Sequence, residues 1–489
     1  MKKFWLVLLS LGLLMAFSVS AFAVDVKVSG EYYAAGMYLN KTTVADPLWY
    51  TTNGQTPSYK DNPSTAFYFQ RLRVGTDFIV SPSLKLVTRF DAMERIWGGA
   101  RSSAGTSDMY SAGTRAENEN IAFDLCYIDY TSPIGKFIVG YYKDYNWGTI
   151  FGNKYGTNGK SNGQIAYVVP VGPIYISANV IKETDGSASA VTNASTTDQD
   201  YDSYRLAATY KAKDIEAGLL FLWERDTTGK SNGLTLPSGA SIAPYFANGY
   251  ALTPYFKANI GPVFVQGEFA WGFGDSAKWE DNYIAMSNIS FNSISAFLDA
   301  TANLDMFYVG GSFAYISGDD PDTNDKLEGS GNIMAVNTGG LDWNPCLIMF
   351  NNDITYWVGG IKGNGLWPAN SFTEVGGPMT NAWFFQGRVG VKPTPQWDVM
   401  LTLSYATADK KPGHYVAGPP TLAHFNNTNG TYGTEIDIAA TYKITNNLSY
   451  MLGAGYLFTG DYYKGYEPYY SESKIVDDYI LVNKLTLSF

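Results

Sequence analysis

Between Tyr479 and Phe489 the chain alternates strictly, with Tyr479, Leu481, Leu485, Leu487 and Phe489 on one face and Lys484, Thr486 and Ser488 on the other. A period of two is the signature of a strand with one apolar and one polar side. The same pattern recurs upstream. Leu448, Tyr450, Leu452, Ala454, Tyr456 and Phe458 alternate with Ser449, Gly453, Gly455 and Thr459, and Thr445-Asn446-Asn447 joins that run to another carrying Ile436, Ile438, Ala440 and Tyr442. Further pairs follow with short turns at Ser81-Pro82-Ser83, 132–135, Val171-Gly172-Pro173, Lys213-Asp214, Ile260-Gly261-Pro262, 301–304 and 392–395.

Between successive pairs lie long polar connections at about 40–65, 98–118, 145–162, 185–200, 227–248, 274–289, 318–380, 409–432 and 461–475. Nine long loops and eight short turns give 18 strands, an even number with both termini at the short-turn end. Around Asn120 to Thr131 both faces carry apolar groups, so the phase there is ambiguous and 16 strands is the fallback count. A soluble sandwich would share the alternation. Aromatic residues decide against it: Tyr204, Tyr210, Trp223, Tyr255, Trp271, Trp383, Trp397, Tyr405, Tyr442 and Tyr456 fall near strand ends, where amphipathic rings sit at membrane interfaces. The expected fold is an all-β, transmembrane, antiparallel up-and-down barrel.

Lys2 and Lys3, an apolar run from Phe4 to about Phe17 and the small-x-small site Ala21-Phe22-Ala23 read as a cleaved export signal. The expected domains are therefore a signal peptide at 1–23 and one barrel at 24–489. After Ala23 no stretch approaches the roughly 20 apolar residues of a spanning helix, so a membrane location rests on strands.

With 34 basic and 45 acidic side chains the net charge is −11, which argues against a nucleic-acid partner. Two histidines, His414 and His424 in one loop, supply no rigidly held general base, so no enzymatic role is expected. Cys126 lies on a strand and Cys346 in the longest loop, and they are read as unpaired. No phosphate loop, dinucleotide fingerprint or haem-attachment motif occurs, and no cofactor is expected.

Gln70-Arg71-Leu72-Arg73, Thr88-Arg89-Phe90-Asp91-Ala92, Asn146-Trp147-Gly148-Thr149-Ile150-Phe151-Gly152-Asn153 and Gly455-Tyr456-Leu457-Phe458-Thr459-Gly460-Asp461-Tyr462, with the terminal Phe489, resemble the Gram-negative outer-membrane porin superfamily. More narrowly they resemble porins of sulfate- and metal-reducing proteobacteria. The resemblance covers essentially the whole chain after the signal. It implies an outer-membrane protein passing ions and small hydrophilic solutes by passive diffusion, often as a homotrimer. It also implies that the barrel-assembly machinery reads the strand ending in Phe489; Asn483 departs from that strand's apolar pattern. Two alternatives stay open: a substrate-specific channel or exporter of the alginate-export kind, and the barrel sheath of a porin-cytochrome conduit.

If apolar residues face lipid, the opposite phase lines the lumen, because a charge at the lipid-facing midplane costs about 2–4 kcal/mol for Arg or Lys. Arg71, Arg73 and Arg89 then form a basic group on neighbouring strands, with Asp77, Asp91, Glu268 and Arg388 elsewhere on the wall. The loop from Tyr145 to Asn162 carries Trp147, Phe151, Lys154, Lys160 and four glycines, and no acid. By resemblance to trimeric porins it should fold inward as the constriction, with Lys154 and Lys160 making the eyelet basic.

Asp320, Asp322 and Asn324 sit at alternate positions that suit a hard cation, but the EF-hand Gly and bidentate Glu are missing, so a solvated acidic loop is the stronger reading. Trp343 to Gly360 carries Leu347, Ile348, Met349, Phe350, Ile354, Tyr356 and Trp357, too apolar to lie bare in water. Three outcomes are open for it: a plug or lid inside the barrel, a subunit interface, or a missed hairpin.

Overall fold

A computed structural model describes residues 24–46, 64–98, 121–144, 146–152, 161–186, 198–230, 244–280, 287–320, 323, 325–329, 343–358, 375–410, 413–415, 422–424, 430–464 and 474–489. The expected signal peptide lies outside the described residues.

Eighteen long strands meander antiparallel around a closed barrel: β1 (Asp25–Leu39), β2 (Thr65–Ser81), β3 (Leu84–Ile96), β4 (Ile121–Ser132), β5 (Gly135–Lys143), β6 (Ser161–Val171), β7 (Ile174–Thr184), β8 (Tyr201–Lys211), β9 (Ile215–Asp226), β10 (Tyr245–Ile260), β11 (Val263–Trp279), β12 (Ile289–Leu304), β13 (Phe307–Ile316), β14 (Ala382–Val391), β15 (Trp397–Ala408), β16 (Thr431–Lys443), β17 (Leu448–Thr459) and β18 (Asp478–Ser488). Each pairs with the next, and β1 closes the ring on β18 in a register running from Glu31 opposite Ser488 to Leu39 opposite Ile480. Closure leaves no sheet edge, the only way a sheet can cross lipid with its backbone satisfied. The count is thus 18 and not the fallback 16. No described helix is long and apolar enough to cross a membrane.

The ambiguous phase on β4 resolves as a bulge. Arg89 of β3 opposes Leu125 while Phe90 opposes Phe123, so Asp124 is the extra residue. Asp124 and Leu125 are both buried, whereas Ile121 and Phe123 before them and Cys126, Ile128 and Tyr130 after them face outward. One inserted residue shifts the outward set from odd to even numbers, which is why both faces look apolar in sequence.

Two-residue turns sit where expected at Gly172 and Gly261, whose φ of 61° and 60° only glycine adopts without cost. The turn expected at 301–304 lies further on: β12 pairs with β13 through Leu304 opposite Phe307, leaving Asp305 and Met306 as the loop. Pairing between β10 and β11 likewise runs on to Tyr245 opposite Trp279, past the expected strand end at 274.

The exterior is apolar: Leu206 and Leu403 are each 56% exposed and Leu452 54%, a surface that only hydrocarbon or another apolar partner covers without penalty. Tyr204 stacks on Trp223, and Trp397 lies against Tyr442, as in an interfacial girdle. Tyr255 does not belong to it. That ring is 8% exposed on the inner face and donates to Glu216 at 2.8 Å. At the seam, Phe489 exchanges backbone hydrogen bonds with Gly30 at 2.8 and 2.9 Å and lays its ring over that glycine.

Candidate functional site: the lumen

Among the described residues, two segments fold into the barrel and divide its interior. The first follows β5. Trp147 Nε1 donates to the Thr253 carbonyl at 3.0 Å, and Glu268 accepts from the Thr149 backbone N–H at 2.6 Å and the Thr149 hydroxyl at 2.9 Å. Thr253 and Glu268 belong to β10 and β11, about a third of the way round the wall, so this loop reaches across the lumen. Gly148 and Gly152 make that possible. A Cβ on either would collide with the Glu268 carboxylate, and Gly148 has a φ of 79°. Phe151, 2% exposed, stacks on Phe297 of β12 with ring centroids 5.0 Å apart. Lys154 and Lys160, expected at the eyelet, lie outside the described residues.

The second segment is residues 343–358, ending in the short helix α1 (Asn352–Val358). It is the plug among the three outcomes left open by the sequence. Ile348, Met349 and Ile354 are fully buried against inner-face residues, among them Tyr33, Phe384 and Ile480. Each such side chain stabilises the docked state by about 1.5–3 kcal/mol relative to exposure. Polar contacts fix the register: Glu435 accepts from the backbone of Ile348 and Met349 at 2.6 and 2.7 Å, and Gln386 donates to the Pro345 carbonyl at 2.5 Å. Leu347 rests where β17 has only Gly453 and Gly455. Trp343 meets Phe151 edge-on at 5.3 Å, so the two inward segments touch. At the other end Trp357 stacks on Phe69 at 5.3 Å. The segment thus fills the lumen from β12 round to β2.

Among the described residues a space of about 720 Å³ lies between the first loop and the wall from β5 to β10. Its lining includes Lys143, Arg205, Lys211 and Lys257 against one carboxylate, Glu216. Glu216 is shared by Lys211 at 2.9 Å and Lys257 at 3.8 Å, while Arg205 also reaches Asp144 at 2.6 Å. Arg205 is matched by Asp144 and by Glu183 at 3.8 Å, so the cations left facing this space are the lysines, two of which share Glu216.

The structure brings Arg71, Arg73 and Arg89 together on the inner wall, each beside an acid. Arg71 lies 3.5 Å from Glu94 and over the Tyr33 ring at 5.1 Å. Arg73 makes two 2.6 Å hydrogen bonds to Asp91, and Arg89 holds Asp124, which also lies 3.8 Å from Arg73. Asp124, whose face the bulge obscures in the sequence, joins Glu94 and Asp91 in matching the three arginines. The other wall residues are dispersed: Asp77 pairs with Lys85 at 2.7 Å, and Arg388 with Asp299 at 2.8 Å. Asp320 pairs with Lys410 at 2.8 Å, and its expected co-ligands Asp322 and Asn324 lie outside the described residues.

No family model and no curated protein matches this chain. Solved structures do show likenesses. An outer membrane protein of Vibrio cholerae, OmpT in its trimer form, aligns over 96% of this chain and 100% of its own at 11% identity and a TM-score of 0.41. OccK11 (OpdR) of Pseudomonas aeruginosa aligns over 94% and 96% at 10% identity and 0.45, and OccAB4 of Acinetobacter baumannii over 96% and 100% at 9% identity and 0.43.

Proposed function

We propose that this protein is an outer-membrane channel through which small hydrophilic solutes diffuse passively, with a preference for anions. The carrying observation is the divided lumen: a closed barrel with an apolar exterior encloses a space of about 720 Å³ whose lining sets Lys143, Lys211 and Lys257 against Glu216, with Arg205 matched by Asp144 and Glu183. A low-dielectric wall focuses such a charge excess onto whatever passes. The constriction is set by Trp147, Thr149 and Phe151 on one side and by Trp343 and the residues behind it on the other. In this reading the Arg71, Arg73 and Arg89 group orders the wall beside Asp91 and Asp124, and selectivity lies with Lys143, Lys211 and Lys257.

A substrate-specific channel for small anionic solutes is the second reading, favoured by how much of the bore the chain's own segment occupies. The same filling argues against a cytochrome sheath, since residues 343–358 already take the space a partner would need. Association as a homotrimer and recognition of the Phe489 strand by the assembly machinery complete the proposal.

Planar-bilayer recording tests it. Stable steps with an anion-to-cation permeability ratio above one, falling about twofold or more in Lys211→Ala/Lys257→Ala, are expected. Block of the current by one small organic anion, and not by its neutral analogue, would select the specific-channel reading. A folded barrel with no steps at all would refute both.

A further inference from the structure

Where the inward segment meets β16, three ligand-bearing side chains converge away from the passage. Cys346 of the segment is 3% exposed, and Glu435 and Asp437, two residues apart on the inner face of β16, are 0% and 5% exposed. The Cys346 sulfur and one carboxylate oxygen of each acid all lie within 4.8 Å of one another. Metal bonds of about 2.0–2.3 Å are reached from there by small side-chain adjustments.

Two carboxylates this deep need compensation, because a buried charge is costly unless paired. The nearby donors supply part of it. The Ile348 and Met349 N–H groups bond to Glu435, and the Thr402 hydroxyl donates to Asp437 Oδ2 at 3.2 Å. The two carboxyls also hydrogen-bond to each other, and Asp437 accepts from the Leu347 N–H, while its Oδ1 lacks a partner of good geometry. Among the described residues neither acid has a lysine or arginine beside it.

We propose that Cys346, Glu435 and Asp437 bind a divalent cation of the zinc class, which fastens the inward segment to the barrel wall. The donor set selects the metal: a sulfur ligand favours zinc-like ions over calcium or magnesium, and the single negative charge left by three ionised ligands around a divalent ion is met by the Ile348 and Met349 N–H groups and the Thr402 hydroxyl. Burial, with Glu435 and Asp437 beside it, pushes the Cys346 thiol up, so the ion, when it binds, displaces to solvent both the thiol proton and the proton held between the two carboxyls. The ion bridges an inward loop and a strand, and its occupancy therefore holds the segment in place independently of what the passage carries.

The test uses the full barrel folded in detergent, stripped with chelator and titrated with Co²⁺ alone, then with Zn²⁺ in competition. One Co²⁺ per chain, an intense sulfur-to-cobalt charge-transfer band and displacement of that band by Zn²⁺ are expected. Cys346→Ser should abolish the band and weaken binding by more than the roughly 10–100-fold that loss of an outer partner costs. Cys126→Ser, at the exposed cysteine of β4, should leave both unchanged. Asp437→Asn offers a second ligand change should the cysteine variant fold poorly. Folded wild-type barrel that takes up no Co²⁺, or takes it up with a band that survives Cys346→Ser, would overturn the proposal. Neither readout depends on channel activity, so this inference can fail while the channel reading stands.

Discussion

At the residue scale, the lumen shows how one displaced side chain reorganises a charge cluster. Arg71, Arg73 and Arg89 read from the alternation as a basic group on neighbouring strands, and the unclear phase of β4 leaves Asp124 unassigned to either face. The bulge turns it inward, where Arg73 and Arg89 share it. Asp124→Asn should therefore destabilise the barrel by about 2 kcal/mol in urea unfolding, since buried charge pairs lose more when one partner is removed than the pair contributes net. A second residue-scale outcome concerns the long connection before β8. There the Arg225 guanidinium, with help from the Thr227 hydroxyl, holds the Asp198 carboxyl down at about 2. The contribution of a depressed carboxyl is present above its ordinary value near 4 and is lost as pH falls through the folded value. Carboxyl NMR titration should place Asp198 near 2 in the native chain and back towards 4 in Arg225→Ala.

At the scale of elements, the two inward segments are held by different means. The loop after β5 is held mainly by polar contacts: Glu268 takes both donors of Thr149, Trp147 donates to the Thr253 carbonyl, and Gly148 and Gly152 let the backbone approach. Glu268→Ala should release the loop, raising current noise and single-channel conductance while strand content by circular dichroism stays unchanged. The segment from Trp343 to Val358 depends on packing. A Cβ on Gly455 would collide with the Asp437 carboxyl and stand 3.1 Å from the Leu347 Cβ, so the wall and the segment could not both keep their places. Gly455→Val should therefore undock the segment, seen as new cleavage by added protease within 343–358 that the parent resists. Its apolar run was visible in the sequence, but its destination was not, because an apolar stretch needs cover and any of three surfaces would have served.

At the scale of the whole molecule, the barrel is a closed wall whose bore is decided by what folds into it. An empty barrel of 18 strands would leave a wide aqueous channel. Here residues 343–358 fill the side from β12 round to β2, and among the described residues an open space lies on the side from β5 to β10. Removing residues 343–358 should then raise conductance about twofold or more in planar bilayers and weaken ion preference, because a wider path screens the lysine-lined wall. Unchanged conductance would mean that the passage lies elsewhere.

The sequence by itself determined the barrel: its period of two, the alternation of long and short connections, the count of 18 and the inner phase that carries Arg71, Arg73, Glu268 and Arg388. These follow from local rules, since a strand of period two has only two faces and lipid accepts only one of them. The tertiary structure alone decided the bulge at Asp124, the pairing of each wall arginine, the inward turn of Tyr255 and the division of the lumen. Each of those depends on contacts between residues tens to hundreds of positions apart, as between Thr149 and Glu268 or Trp357 and Tyr33, and no local period encodes them.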